Sequence, residues 1–99
     1  MATFIIQGKV YNTDKMTFIA YVKKWYKFTG WFLEQMYGKD MGLEHTCSLY
    51  RSDKGNWLLT HEYSGKIIGE AITEKEAKEL LMRYDYEAYA KEYGELEEA

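Results

Sequence analysis

Two strand-length runs joined by a glycine-closed turn constrain this chain more than any other feature. Leu43 to Arg51 (LEHTCSLYR) and Asn56 to Tyr63 (NWLLTHEY) flank Ser52-Asp53-Lys54-Gly55. Both runs carry the aromatic and aliphatic residues that fit a pleated, half-buried surface. A three-residue loop, Asp53-Lys54-Gly55, places glycine at the left-handed position such loops favour. The register follows: Ser52 opposes Asn56, Tyr50 opposes Leu58, Leu49 opposes Leu59 and Cys47 opposes His61. Strand alternation then gathers His45, Cys47, Leu49, Leu59, His61 and Tyr63 on one face.

Upstream, Thr3 to Tyr11 (TFIIQGKVY) reads as one strand, with Gly8 marking a bulge or a close approach. Asn12 to Lys15 is a turn cluster. Thr17 to Tyr26 (TFIAYVKKWY) alternates, with Phe18, Ala20 and Val22 on one face and Ile19, Tyr21 and Trp25 on the other. Apolar residues on both faces suit an inner strand, and this run is expected to form a hairpin with the first. Within residues 27–42, Phe32, Gln35 and Met36 fall at helical spacing and Gly38 sits where a C-cap would, so a short helix is expected over Trp31–Tyr37. Ile67–Ile72 reads as a short final strand.

The C-terminal third changes to helical chemistry. Thr73-Glu74-Lys75-Glu76 is a capping box, in which the Thr73 hydroxyl takes the Glu76 amide and Glu76 reaches back. Ala77, Leu80, Leu81 and Tyr84 form one stripe at helical spacing. Asp85 caps a second helix with the stripe Tyr86, Tyr89, Ala90 and Tyr93, which Gly94 ends. The expected fold is α+β, an antiparallel sheet of four to five strands with two C-terminal helices packed on one face. A chain of 99 residues holds one such domain over 1–99: 1–72 mainly β, 73–94 helical and 95–99 an acidic tail. The absence of proline agrees with glycine-based turns and no linker. Phe4, Phe18 and Trp57 are the expected aromatic members of the sheet core.

No apolar run approaches the roughly 20 residues of a membrane span, and the start of the chain lacks the pattern of a secretory signal. One cysteine, Cys47, makes no internal disulfide, which points to a reducing cytoplasm. His45, Cys47 and His61 share a face, yet none of the zinc spacings is present, and cysteine and histidine on an apolar strand face are core groups as a rule. Cys47 with His61 is likewise poorly placed for nucleophilic work, which favours loops and helix ends. No phosphate loop, dinucleotide fingerprint or nucleophile elbow occurs. The expectation is a non-enzymatic protein without metal or cofactor.

The net charge of −3 conceals an asymmetry: residues 1–69 sum to +3 and residues 70–99 to −6. Lys23-Lys24-Trp25-Tyr26-Lys27-Phe28 interleaves cations with aromatics, as single-strand nucleic-acid binders do. Glu74, Glu76, Glu79, Glu87 and Glu92 make the helices acidic, a surface suited to a basic groove on a protein. Aromatics amount to 17% of the chain, with 10 tyrosines, more than a small core buries. That excess suits a protein interface or a homodimer seam lined by the tyrosine helices.

Three segments together resemble a set of small proteins of Firmicutes phages and integrative elements. Gly8-Lys9-Val10-Tyr11-Asn12-Thr13 is similar to their G-K-x-Y-D-T. Leu49-Tyr50-Arg51-Ser52-Asp53-Lys54-Gly55-Asn56-Trp57-Leu58-Leu59 is similar to L-Y-R-T-K-K-G-x-Y-F-L. Ile72-Thr73-Glu74-Lys75-Glu76-Ala77 with its acidic, Tyr-rich end is similar to their I-T-E-E-E-A helix. The resemblance covers about half the chain and departs in residues 16–42. It implies an inhibitor of host defence of the anti-CRISPR kind, blocking the type II effector nuclease stoichiometrically, with that nuclease or its guide RNA as partner. It supplies no functional residue. Charge alone nominates two surfaces: Lys23, Lys24, Trp25, Tyr26 and Lys27 toward RNA, or the five helical glutamates as a mimic of DNA.

Overall fold

Four antiparallel strands form the frame of the computed structural model, which describes residues 2–27, 36 and 41–98. In chain order the elements are β1 (Thr3–Ile6), β2 (Lys9–Asn12), a 3-10 turn (Thr13–Lys15), β3 (Thr17–Lys27), β4 (Gly42–Arg51), β5 (Trp57–Tyr63), β6 (Lys66–Ile72), α1 (Glu74–Tyr84) and α2 (Tyr86–Tyr93). Strands β3-β4-β5-β6 make an antiparallel meander, while β1 and β2 form a separate two-stranded sheet. The architecture is α+β, with both helices against one face of the larger sheet.

The central hairpin follows from its residues as expected. Ser48 pairs with Thr60, Leu49 with Leu59, Tyr50 with Leu58 and Arg51 with Trp57. The loop closes through Ser52 N–H to the Asn56 carbonyl at 2.8 Å and Gly55 N–H to the Ser52 carbonyl at 3.0 Å. Gly55 has φ of 84°, a conformation that only glycine adopts without a Cβ penalty. The final strand and both helices also form. Thr73 Oγ1 accepts the Glu76 amide at 3.1 Å, and Asp85 Oδ1 accepts that of Ala88 at 3.1 Å. Gly94 ends α2 with φ of 88°.

The first hairpin is a correction. Thr3 to Tyr11 is not one strand beside Thr17–Tyr26; it folds on itself, pairing Phe4 with Tyr11 and Ile5 with Val10. The turn is Gln7-Gly8, with φ of 52° and 78°. Positive φ at both central residues matches the right-handed twist of a tight hairpin. Glutamine is an uncommon residue there, so the turn is hard to see in the sequence. Thr13 N–H then reaches the Ala2 carbonyl at 3.0 Å, and the 3-10 turn redirects the chain into β3. β3 is therefore an edge strand paired only with β4 in its sheet.

A bulge in β3 overturns a second expectation. Phe18 pairs with Tyr50 and Ala20 with Leu49, so Ile19 is an extra residue. Ile19 packs with Ala20 and Val22 on the helix side, while Phe18 turns to the reverse face against Tyr21 and Tyr50, at ring distances of 4.9 and 5.8 Å. Phe18 is 45% exposed and is not a core residue. Trp57 is buried as expected. The short helix expected over 31–37 lies outside the described residues apart from Met36, which is helical and exposed.

The main core comprises Ala20, Val22, Cys47, Leu49, Trp57 and Leu59 from the sheet with Ala77, Leu81 and Tyr89 from the helices. Leu80, Tyr84 and Tyr93 complete the stripes as half-buried partners, whereas Tyr86 is 41% exposed. Tyr11 and Leu58 are buried outside this cluster. They belong to the reverse side, where the β1–β2 hairpin lies over the sheet: the Phe4 ring sits against Gly69, and Lys9 Nζ donates to Asn56 Oδ1 at 3.2 Å. Among the described residues no helix is long and apolar enough to cross a membrane.

Candidate functional site

Alternation along β3 divides the basic aromatic segment between the two faces of the sheet. Lys24 and Tyr26 continue the Ala20–Val22 side, toward the helices. Lys23 and Trp25 lie on the reverse side, while Lys27, the last residue of the strand, borders the cleft on the helix side. Tyr21 is 65% and Trp25 51% exposed there, with Lys23 between them in sequence and Glu44 directly across from Trp25. The segment is thus two sites rather than one.

On the helix side Lys24 is consumed internally. Its Nζ donates to Glu70 at 3.1 and 3.0 Å and to Glu76 at 2.9 Å, joining both edge strands to α1. Glu76 therefore does not reach back to complete the capping box; its carboxylate holds Lys24. Burial opposes the charged ammonium, but the hydrogen bonds and charges of Glu76 and Glu70 outweigh it and raise the Lys24 pKa. Tyr26 lies across the sheet, donating its hydroxyl to Glu70 Oε1 at 2.8 Å and stacking on His61 at 4.4 Å and 24°. Burial and the Glu70 carboxylate push the Tyr26 phenol well up, so it stays protonated.

The acidic helices are also partly engaged. Glu76 pairs with Lys24, Glu92 lies 3.3 Å from Arg51 Nε, and Glu74 lies 3.9 Å from Lys78 and accepts the Tyr93 hydroxyl at 3.4 Å. The Arg51–Glu92 contact is a charge pairing without hydrogen-bond geometry, since Arg51 Nε is buried with no hydrogen-bond partner. Burial, then Glu74, pushes the Tyr93 phenol to about 12. Glu79 and Glu87 are exposed and enter no ion pair among the described residues.

Beyond the Leu49–Leu59 level the helix face of the sheet continues into a cleft of about 350 Å³, lined by Tyr26, Lys27, His45, His61, Tyr63, Ile68, Gly69 and Glu70. The expected gathering of His45, Cys47 and His61 is present: the two imidazoles lie 4.9 Å apart, and Cys47 is completely buried beside them. Its thiol donates to the His45 carbonyl at 3.6 Å, and burial raises its pKa, against the opposing effect of the Tyr26 hydroxyl 4.0 Å away. A thiol held protonated is a poor nucleophile. Among the described residues no group of three or more His, Cys, Asp or Glu is placed to hold a metal.

Glu70 was not singled out from the sequence, yet it is the hub of this region. Its signal was available: in Ile68-Gly69-Glu70-Ala71-Ile72 it shares strand parity with Ile68 and Ile72, a carboxylate on an otherwise apolar face. Lys24, between Val22 and Tyr26, has the same signature. Two opposite charges on the inner faces of two edge strands, with Glu76 in the first turn of α1, identify a network that spans the sheet.

Burial depresses the His61 pKa, the neighbouring His45 depresses it further, and Glu70 pulls the other way. In the unfolded chain an imidazole titrates near about 6.5, so on acidification the unfolded state takes its proton first. The contribution of His61 is therefore present above that pH and is lost as pH falls through the lower folded value. Urea denaturation between about pH 7.5 and 5 should show a steeper loss of stability in the wild type than in His61→Phe, which keeps a ring but cannot titrate. Equal slopes would remove this assignment.

No family model, curated protein or solved structure matches the chain.

Proposed function

We propose that the chain is a non-catalytic inhibitor of a host defence nuclease, encoded by a mobile element and acting in the bacterial cytoplasm by direct binding. The resemblance to small phage and integrative-element proteins suggests the class; the structure bears on which surface would bind. The observation that carries the choice is the outer face of β3, where Tyr21 and Trp25 are 65% and 51% exposed beside Lys23. Tyrosine and tryptophan dominate interface energetics because they offer large rigid contact area at small entropic cost. A lysine between them supplies attraction to phosphate, so the surface suits the guide RNA or its loading site on an effector nuclease. The competing acidic surface is weaker, because Glu74, Glu76 and Glu92 are paired within the chain.

Target cleavage by a purified type II effector loaded with guide RNA should fall in proportion to added protein, as expected of stoichiometric blocking. Lys23→Ala with Trp25→Ala should weaken inhibition by at least about tenfold, the scale of a lost aromatic hot spot. Glu79→Lys with Glu87→Lys should leave it unchanged. Undiminished cleavage at excess protein, together with no protection of a targeted phage, would sink the proposal. Inhibition lost only on reversing the two glutamates would move the surface to the helices. The same exposed face favours one second reading, a nucleic-acid-binding accessory protein. Salt-sensitive capture of RNA or DNA without any nuclease would select it.

A further inference from the structure

The cleft on the helix side of the sheet is used by neither of these readings. Its walls are four aromatic rings in near-continuous contact: Tyr26 on His61 at 4.4 Å and 24°, His61 beside His45 at 4.9 Å and 35°, and Tyr63 edge-on to His45 at 5.9 Å and 82°. Gly69 contributes backbone alone, since a Cβ there would point to the opposite face and meet the Phe4 ring. Ile68, 41% exposed, and Tyr63, 40% exposed, line it as well. The volume of about 350 Å³ lies at the small end of the range of ligand pockets, roughly 300–1,000 Å³.

The polar groups restrict the occupant. Both oxygens of Glu70 are already engaged, Oε1 by Tyr26 and Lys24 and Oε2 by Lys24, so Glu70 is not the group that recognises an occupant. His61 is 8% exposed, and its Nδ1 is buried with no hydrogen-bond partner. An orphaned N–H is rarer in folded proteins than an under-satisfied acceptor, which assigns the proton of the neutral ring to Nε2 and leaves Nε2–H as the donor it offers. An accessible tyrosine ring set at right angles to an imidazole, an engaged carboxylate and the Nε2–H of His61 fit a planar ring with acceptor atoms at its edge.

We infer that this cleft binds a nucleobase, stacked on the Tyr63 ring with the perpendicular His45 ring at its edge, and hydrogen-bonded by His61. The inference is independent of the outer face of β3, which lies on the other side of the sheet. The base can arrive as a free nucleoside or turned out of a single strand, and both present the same face and edge.

The test is titration of the isotope-labelled full chain with adenosine, guanosine, cytidine and uridine, and in parallel with short single-stranded oligonucleotides of each base, followed by amide chemical shifts. Saturable shifts confined to the strand segments around Tyr26, His45, His61–Tyr63 and Ile68–Glu70 are expected. Tyr63→Ala should weaken them by at least about tenfold, the size of one lost base–aromatic stack. Tyr63 lies outside the buried core, and an unchanged spectral dispersion checks that the variant folds. Nucleosides binding as well as oligonucleotides assigns the cleft to a free base. Oligonucleotide binding alone, lost in Tyr63→Ala, assigns it to a base in a strand. No saturable shift with any of these ligands, or shifts that Tyr63→Ala leaves unaltered, overturns the site. Trp25→Ala, on the opposite face, should leave nucleoside binding intact, so failure of the proposed inhibition and failure of this site are separable.

Discussion

Leu59→Ala should lower the unfolding free energy by about 2–5 kcal/mol, the range measured for leucine truncation in packed cores. Leu59 is completely buried, pairs with Leu49 across β4 and shares one cluster with Ala77, Leu81 and Tyr89 of the helices. Truncation leaves a void bounded by strands on both sides, which can close only by distorting the sheet. A domain of this size has about 5–15 kcal/mol in all, so a large part of its stability rides on this one side chain. Urea denaturation measures it: the midpoint should fall with little change in slope. Leu43→Ala, at a residue 52% exposed, is the control, and should stay within about 0.5 kcal/mol. Equal effects at the two positions would mean that the core does not run through Leu59.

Gly69→Val is expected to have the second largest effect, through an opposite mechanism. A Cβ at Gly69 would lie 2.7 Å from the Phe4 ring, closer than real Cβ atoms approach. Phe4 belongs to the short β1–β2 hairpin, so relief comes by pushing the hairpin off the sheet. That exposes the reverse-side pocket holding Tyr11 and Leu58. Overpacking of this kind costs about 1–3 kcal/mol. The discriminating measurement is hydrogen exchange: protection should fall in β1 and β2 while the β4–β5 pair keeps its own. Phe4→Ala in the same chain should restore part of the loss, since it removes the ring that the introduced isopropyl group would strike. Protection lost evenly over both sheets would place the damage elsewhere.

The two halves of the chain differ in how openly they state their structure. The β4–β5 register, the caps at Thr73 and Asp85 and the helical stripes are written locally, in a glycine at a left-handed position and in apolar spacing. The first 27 residues are not. Gln7 carries a positive φ that nothing in glutamine advertises, and an inserted Ile19 breaks the alternation midway along β3. Both departures are settled by tertiary packing: the hairpin by the sheet beneath it, and the bulge by helices that take Ile19 and leave Phe18 outside. The candidate sites divide similarly. The shared face of His45 and His61 was legible from alternation, and so was that of Tyr21 and Trp25, but the inner strand expected there is an edge strand whose outer face is open. The role of Glu70 was not, because its partners, Lys24 and Tyr26, lie more than 40 positions away along the chain.

The bulge has a consequence for how this protein can change. Sheet pairing ordinarily couples every residue of a strand to one phase, so a one-residue deletion turns a whole strand inside out. At Ile19 the strand already contains both phases. Deleting that single residue leaves both segments in register, Thr17–Phe18 against Tyr50–Arg51 and Ala20–Lys27 against the rest of β4, and only restores plain alternation. Phe18 stays on the outer face beside Tyr21 and Tyr50, and the helix side loses the Ile19 side chain alone. The strand therefore tolerates loss of this one residue where any other interior deletion would invert a face, and the outer aromatic cluster keeps its place.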